Sequence, residues 1–383
     1  MGKRPNLVVT MAGALALALG FAITAALMHA QAPQPAPANQ TAGERFKNIQ
    51  VLKDIPANQL DPTMDFIADS LGVRCEYCHV RGDFSKDDKR PKLSARKMIQ
   101  MELAINKENF NGRTEVTCYT CHRGLTHPVG VPVIGQSAEA SAAQAPGGMN
   151  PGGPNMASMP TADQILEKYV QALGGADATA KITSRTAKGT FTPGEGKPLG
   201  LELYAKAPEK LLLALERPNG GTNEMAYNGK EGWGSDGQHV RPMRGGQLEV
   251  VETQAKLAFA GDLKQSLGRL RVGRPEKLGD QETYVLYAFA SGEPPSKLYF
   301  DEQSGLLLRV ESFTRTPLGN DPIAVDYSDY REASGVKVPY RWTIGSPRNR
   351  MTIQFNEVQQ NAAVDDSKFS PPAGSMATGG RPQ

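Results

Sequence analysis

The apolar positions of this chain follow two different rhythms. Between residues 60 and 110 they recur at helical spacing: Met64, Ile67, Ala68 and Leu71 at i, i+3, i+4 and i+7, then Met98, Met101 and Ile105 at i, i+3 and i+7. Asp61-Pro62 reads as the opening of the first helix and Leu71-Gly72 as its stop. Ser94 reads as the cap of the second, which runs to about Asn109 before an Asn111-Gly112 turn. A third helix opens at 161, where Thr161-Ala162-Asp163-Gln164 has capping-box form, Ile165, Tyr169 and Leu173 share a face, and Gly174-Gly175 ends it. From there the rhythm changes to strands, expected at 185–192, 199–206, 210–216, 223–228, 282–290, 297–301, 306–313, 324–332, 337–344 and 351–358. A helical insert at 249–263 interrupts them, and Asp301-Glu302-Gln303-Ser304-Gly305 makes a hairpin turn. The fold class implied is multidomain α + β: a small, mostly helical domain, then an antiparallel β half-barrel with a packed helix.

Segments with neither rhythm divide the chain. Lys3 and Arg4 precede an uncharged run from 7 to 28, and Ala30-Gln31-Ala32 follows with the small-x-small spacing that signal peptidase cuts. Residues 1–32 therefore read as an export signal, either cleaved or kept as an N-terminal membrane anchor. A Pro/Ala spacer leads into the helical domain at 33–125. Residues 126–160 form a Gly/Pro/Ala-rich flexible linker, 161–370 the β-rich domain, and 371–383 a disordered tail. Hydrophobic residues make up 39% of the chain, which excludes a wholly disordered polypeptide, and the single long apolar run excludes a polytopic membrane protein. The balance of 43 basic and 40 acidic residues, a net +3, gives no reason to expect nucleic acid as a partner.

Chemistry is concentrated in four cysteines. They fall as Cys75-Glu76-Tyr77-Cys78-His79 and Cys118-Tyr119-Thr120-Cys121-His122, and Cys-x-x-Cys-His is the attachment motif of c-type haem. In that chemistry Cys75, Cys78, Cys118 and Cys121 become thioethers to the porphyrin, and the adjacent His79 and His122 are held beneath the iron as proximal ligands. Two disulfides, or one four-cysteine zinc site, are the competing readings. Each Cys-x-x-Cys disulfide would close only a tiny loop. The 39-residue gap between the pairs exceeds usual zinc-ribbon spacing, and zinc does not require a histidine after each pair. Two covalent haems account for every cysteine in an exported chain.

Helix with methionine, turn, Cys-x-x-Cys-His occurs twice, so Met64 in the first helix and Met98 or Met101 in the second are candidates for the sixth iron ligand, with ordinary core filling as the alternative. His127 is a further, weaker candidate. Seven basic residues between 81 and 97 read mainly as a solvated loop; a docking surface for an acidic redox partner is the other reading. Arg96 or Arg123 could pair with haem propionates.

Residues 45–124, above all Ser94-Ala95-Arg96-Lys97-Met98-Ile99 and Val116-Thr117-Cys118-Tyr119-Thr120-Cys121-His122-Arg123-Gly124, resemble the multihaem cytochrome c subunit family of photosynthetic reaction centres. The resemblance implies helix–turn–haem units with Met and His axial ligands, Met64 serving the first haem and Met98 the second, with Met101 as alternative. This chain has two haem motifs where the family subunit normally has four, and it lacks the family's lipid-anchoring N-terminal cysteine. The later half, through its single leading helix, the Tyr299-Phe300-Asp301…Gly305-Leu306-Leu307 hairpin and Phe355-Asn356-Glu357-Val358, resembles the periplasmic carrier fold of outer-membrane lipoprotein sorting. The function expected is single-electron transfer between periplasmic donor and acceptor proteins. A dihaem peroxidase with one open haem is one rival, and a carrier of an apolar ligand with a redox-sensing cytochrome domain the other. His239 is the only histidine of the β-rich half, which contains no Ser/His/Asp triad, and Trp233 and Trp342 read as sheet packing.

Overall fold

The computed structural model describes residues 40–128, 130, 159–243, 246–289, 294–347 and 349–372. The expected export signal, nearly all of the expected linker and nearly all of the tail lie outside the described residues. No helix among the described residues is long and apolar enough to cross a membrane.

Five helices carry the cysteine-containing part. Thr41 and Glu44 form a reciprocal capping box that opens α1 (Ala42–Arg45). A 3-10 turn, Ala57–Gln59, runs straight into α2 (Leu60–Leu71), which stops where Gly72 turns left-handed at φ 65°. Asp61 is therefore inside the first turn and not the cap, because the preceding turn already supplies helical backbone. Cys75–Cys78 make the single turn α3. The long helix α4 (Arg90–Asn109) begins before the expected Ser94, with Pro91 in its first turn, where a missing N–H costs nothing. Helix α5 (Cys118–His122) follows Thr117 and ends at Arg123, which is left-handed at φ 51°.

The rest is one sheet with helices against it. Helix α6 (Ala162–Leu173) opens on the expected Thr161–Gln164 capping box, and α7 (Ala176–Ala180) follows. The strands are β1 (Ser184–Pro193), β2 (Leu199–Lys206), β3 (Lys210–Glu216), β4 (Thr222–Tyr227), β5 (Gly232–Ser235) and β6 (Val240–Pro242). Helices α8 (Gly246–Leu257) and α9 (Leu263–Leu267) come next, where one continuous insert at 249–263 was expected. Then come β7 (Arg269–Val272), β8 (Glu276–Leu278), β9 (Gln281–Phe289), β10 (Ser296–Asp301), β11 (Leu307–Thr316), β12 (Gly319–Ala333), β13 (Val336–Gly345) and β14 (Arg350–Gln360). Their order is β6-β5-β4-β3-β2-β1-β14-β13-β12-β11-β10-β9-β7, with β8 paired to β9. Neighbours pair antiparallel and the end strands do not meet, so the sheet is open, as a half-barrel requires.

Alternation sets which side chains point inward. Along β13, Val336, Val338, Tyr340, Trp342 and Ile344 are buried against Ile165, Tyr169 and Leu173 of α6 and Val251 and Ala255 of α8. The apolar run Leu211-Leu212-Leu213 serves both faces, since Leu212 joins Trp233, Val240, Val364 and Phe369 in a separate cluster. Trp233 packs as expected and donates from Nε1 to the Phe369 carbonyl at 2.9 Å.

The helical segment and the sheet form one compact unit. The hairpin between β11 and β12 reaches into the helices: Leu318 is fully buried in a cluster with Leu60, Phe66, Ile67 and Ile99. Gly319 is required there, because a Cβ would fall 2.4 Å from the Phe66 ring. The two parts are thus packed together and not joined by a linker alone.

Candidate haem-binding site

The first motif is positioned by a clamped loop. His79 follows α3 in extended backbone, and its Nδ1 is 3.0 Å from the Phe84 carbonyl oxygen. That carbonyl is fixed from α4, where the buried Lys92 ammonium donates to the carbonyls of Phe84 (2.8 Å), Ser85 (3.0 Å) and Lys86 (2.8 Å) and pairs with Asp87 at 3.0 Å. Arg96 adds a 2.8 Å ion pair to Asp87 and a bond to the Asn48 carbonyl. These bonds, led by that from Arg96, hold the Asp87 carboxyl well below the usual carboxylate range. Arg96 is thus engaged by Asp87 and by the Asn48 carbonyl. Burial lowers the His79 pKa, favouring the neutral imidazole that a metal ligand needs.

The second motif is held the same way by different residues. His122 Nδ1 lies 2.9 Å from the Leu125 carbonyl oxygen. From α4, the buried Asn106 side chain donates to the Val116 carbonyl and accepts from the N–H groups of Glu115 and Val116, fixing the approach to α5. Gly124 N–H donates to the Ser70 carbonyl at 2.9 Å, and a Cβ on Gly72 would come within 2.2 Å of the Gly124 oxygen, so α2 and α5 meet backbone to backbone. The Cys118 thiol donates to Glu102 at 2.9 Å. Burial pushes the Glu102 carboxyl up to about 7, and burial and the neighbouring carboxyl push the Cys118 thiol far up.

In both motifs the histidine's Nδ1 is committed to a backbone carbonyl, which leaves Nε2 as the ring nitrogen for a metal. All four cysteines are free. Among the described residues no three of His, Cys, Asp and Glu converge on a metal position, so the cysteines form two separate pairs and not one tetrahedral set. The methionines are placed less uniformly. Met64 is half-buried and packs against the same cluster as Cys118, while α4 lies beside both cysteine helices. The buried stripe of α4 is Lys92, Ile99, Glu102 and Asn106; Met98 and Met101 are exposed. His127 is also exposed.

The fit of this region to haem rests on its surface. The exposed large apolar side chains of the described chain are Tyr77, Phe84, Leu93, Met98, Met101, Leu103, Tyr119 and Leu125, all within the cysteine-containing segment. A concentration of that kind marks a surface that an apolar body covers, and a porphyrin fixed at Cys75–Cys78 and Cys118–Cys121 is such a body. The clamps at Lys92, Glu102 and Asn106 escaped the sequence reading: a buried lysine among six other basic residues carries no distinguishing signal.

Comparison with known proteins agrees with this chemistry. A family model described as photosynthetic reaction centre cytochrome C subunit matches residues 16–196, a span containing both motifs. Relatives include the photosynthetic reaction center cytochrome c subunits of Thermochromatium tepidum, 37% identical over 23% of this chain and 22% of that protein, and of Roseobacter denitrificans, 36% identical over 24% and 27%. A cytochrome c-554 from Chloroflexus aurantiacus is 34% identical over 20% of each. The chain thus matches only about a quarter of the length of these relatives. Similar solved structures include a putative outer membrane lipoprotein-sorting protein domain from Vibrio parahaemolyticus, with TM-score 0.40, 11% identity and coverage of 54% of this chain and 94% of that one. A LolA superfamily protein from Nitrosomonas europaea gives TM-score 0.39, 13% identity and coverage of 56% and 99%. The cysteine-containing segment is accordingly similar to the cytochrome c subunit family of photosynthetic reaction centres.

Proposed function

We propose that this chain is an exported dihaem c-type cytochrome that passes single electrons between periplasmic donor and acceptor proteins. The observation carrying the proposal is the repeated histidine arrangement: two Cys-x-x-Cys-His helices, each with Nδ1 tied to a following backbone carbonyl, in the segment that holds the exposed large apolar side chains of the described residues. Bound haem supplies an iron that accepts and releases one electron. Cys75 with Cys78, and Cys118 with Cys121, retain it through thioether bonds, and His79 and His122 offer Nε2. Met64 and Met98 supply the sixth ligands, with Met101 the alternative to Met98; a thioether sulfur stabilises the ferrous state and raises the potential. The loop clamped by Lys92 and the strand of backbone held by Asn106 keep each imidazole from turning. The sheet domain, in this reading, holds an apolar ligand.

A redox titration followed by optical and magnetic spectroscopy tests the assignment. Two low-spin centres, both with methionine-linked absorbance in the oxidised state, are expected. A five-coordinate high-spin centre would favour the peroxidase reading instead.

A further inference from the structure

The interior of the half-barrel contains a cavity of about 60 Å³ between the sheet and helices α6 and α8. Its wall is apolar over most of its area, with Leu203, Leu211, Phe259 and Val338 among the lining side chains. Its polar groups are unbalanced. Arg185 lines the space, and exposed Lys337 stands at its solvent edge, but no Asp or Glu does. Arg185 donates from Nε to Gln360 at 3.1 Å and forms no ion pair with a carboxylate among the described residues. Two further donors in the wall, Gln254 Nε2 and Trp342 Nε1, have no hydrogen-bond partner although both residues are more than nine-tenths buried.

Acceptors do not make up the difference. The Gln254 oxygen is already taken by the Tyr327 hydroxyl at 2.9 Å, and the Tyr330 hydroxyl donates to the Leu307 carbonyl at 2.7 Å. Buried donors without acceptors, beside a half-buried guanidinium that no described carboxylate neutralises, are unfavourable unless something supplies oxygen and negative charge. A chain that only needed a packed sheet would place an acid or an apolar residue at these positions. Trp342, expected to be plain sheet packing, is thus also part of a polar recess.

We propose that this recess binds an aliphatic carboxylate, its oxygens accepting from Arg185, Gln254 and Trp342 and its alkyl part lying along the apolar wall. The proposal deepens the reading of the sheet domain as the holder of an apolar ligand and rests on that reading; the electron-transfer assignment is independent of it. The volume exceeds the ~10–15 Å³ that one water needs, and suits a carboxylate with its first carbons. Burial brings the Arg185 guanidinium down to about 10, so it stays charged at neutral pH.

The test is calorimetric titration of the intact, haem-loaded protein with butanoate, dodecanoate and dodecanol. A carboxylate should bind at one site per chain, at least tenfold more tightly than the alcohol. Arg185→Gln should weaken that binding at least tenfold while leaving the alcohol unaffected. Trp342→Phe keeps the ring and removes the N–H, so a several-fold loss in that variant serves if Arg185→Gln does not fold. Butanoate binding would identify a small metabolic acid as the occupant, and binding of dodecanoate alone a lipid-derived one. Equal affinity for dodecanol and dodecanoate would overturn the carboxylate proposal and leave the apolar-ligand reading standing. Absence of binding by all three would overturn both.

Discussion

Met98 and Met101 share an exposed stripe of α4, and the proposal gives the sixth position of one haem to Met98 with Met101 as the alternative. Met98→Ala is expected to lower the potential of one haem and abolish its methionine-linked absorbance, with both covalent attachments intact; Met101→Ala should leave spectrum and potential unchanged. The opposite outcome for the pair would transfer the ligand to Met101. A second residue-level expectation concerns Asp87, whose carboxyl is held below the usual range chiefly by Arg96. A depressed carboxyl contributes stability that is fully present above its unfolded pKa of ~3.9 and is lost as pH falls through that value and below it. The stability difference between wild type and Asp87→Asn, measured by denaturant unfolding, should therefore be clear at pH 6 and shrink toward pH 3. A difference that did not change with pH would mean that Asp87 acts through packing and not through charge. At this scale the sequence was most informative where the chemistry is local. Cys75 to His79 and Cys118 to His122 are readable because attachment needs fixed spacing along the chain. The carbonyls of Phe84 and Leu125, which orient the histidines, are main-chain groups and leave no mark in the residue types.

Helix α2 owes its position to an element of the sheet. The β11–β12 hairpin buries Leu318 completely among Leu60, Phe66 and Ile67, and the turn is braced by Thr316, whose Oγ1 donates to the Gly319 carbonyl and accepts from the Leu318 N–H. Leu318→Ala should cost about 2–5 kcal/mol, the usual range for emptying a buried leucine site, and Gly319→Ala should also destabilise by displacing the Phe66 ring. Denaturant unfolding followed by haem absorbance would report both; a loss under about 0.5 kcal/mol, as at an ordinary surface site, would show the contact to be incidental. The two strands were expected at 306–313 and 324–332, but the tip between them was missed because Pro317, Gly319 and Pro322 read as a loop. Arg315 nonetheless pairs with Asn320 and Thr316 with Gly319, so the strands run on into the turn. Strands β5 to β8 were missed as well: each has three or four residues, too few for alternation to show. The strands that were legible carry a longer signal: β2 alternates along its length, and β3 runs apolar from Leu211 to Leu215. The early start of α4 was hidden because Ser94 is a good cap in isolation, whereas the helix begins four residues earlier at Arg90, with Pro91 in its first turn.

The described residues join a cysteine-rich helical segment to an open antiparallel sheet within one compact unit. Fold class and the division into a helical and a β-rich part were readable from the change in apolar period near residue 161, a property of long stretches that individual misplaced boundaries do not disturb. Their mutual packing was not readable, because it runs through a hairpin tip, where Leu318 and Gly319 meet α2. Among the described residues the exposed large apolar side chains all lie in the segment that holds the two Cys-x-x-Cys-His motifs, and the electron-transfer assignment stands on the proposal that covalent haem covers them. Its most direct test is the intact mass of the denatured protein after expression in a periplasm with cytochrome c maturation. The account predicts the mass of the polypeptide plus two haems, with the pigment retained through acid–acetone extraction. A polypeptide of unmodified mass that surrenders all its colour to the solvent would contradict it.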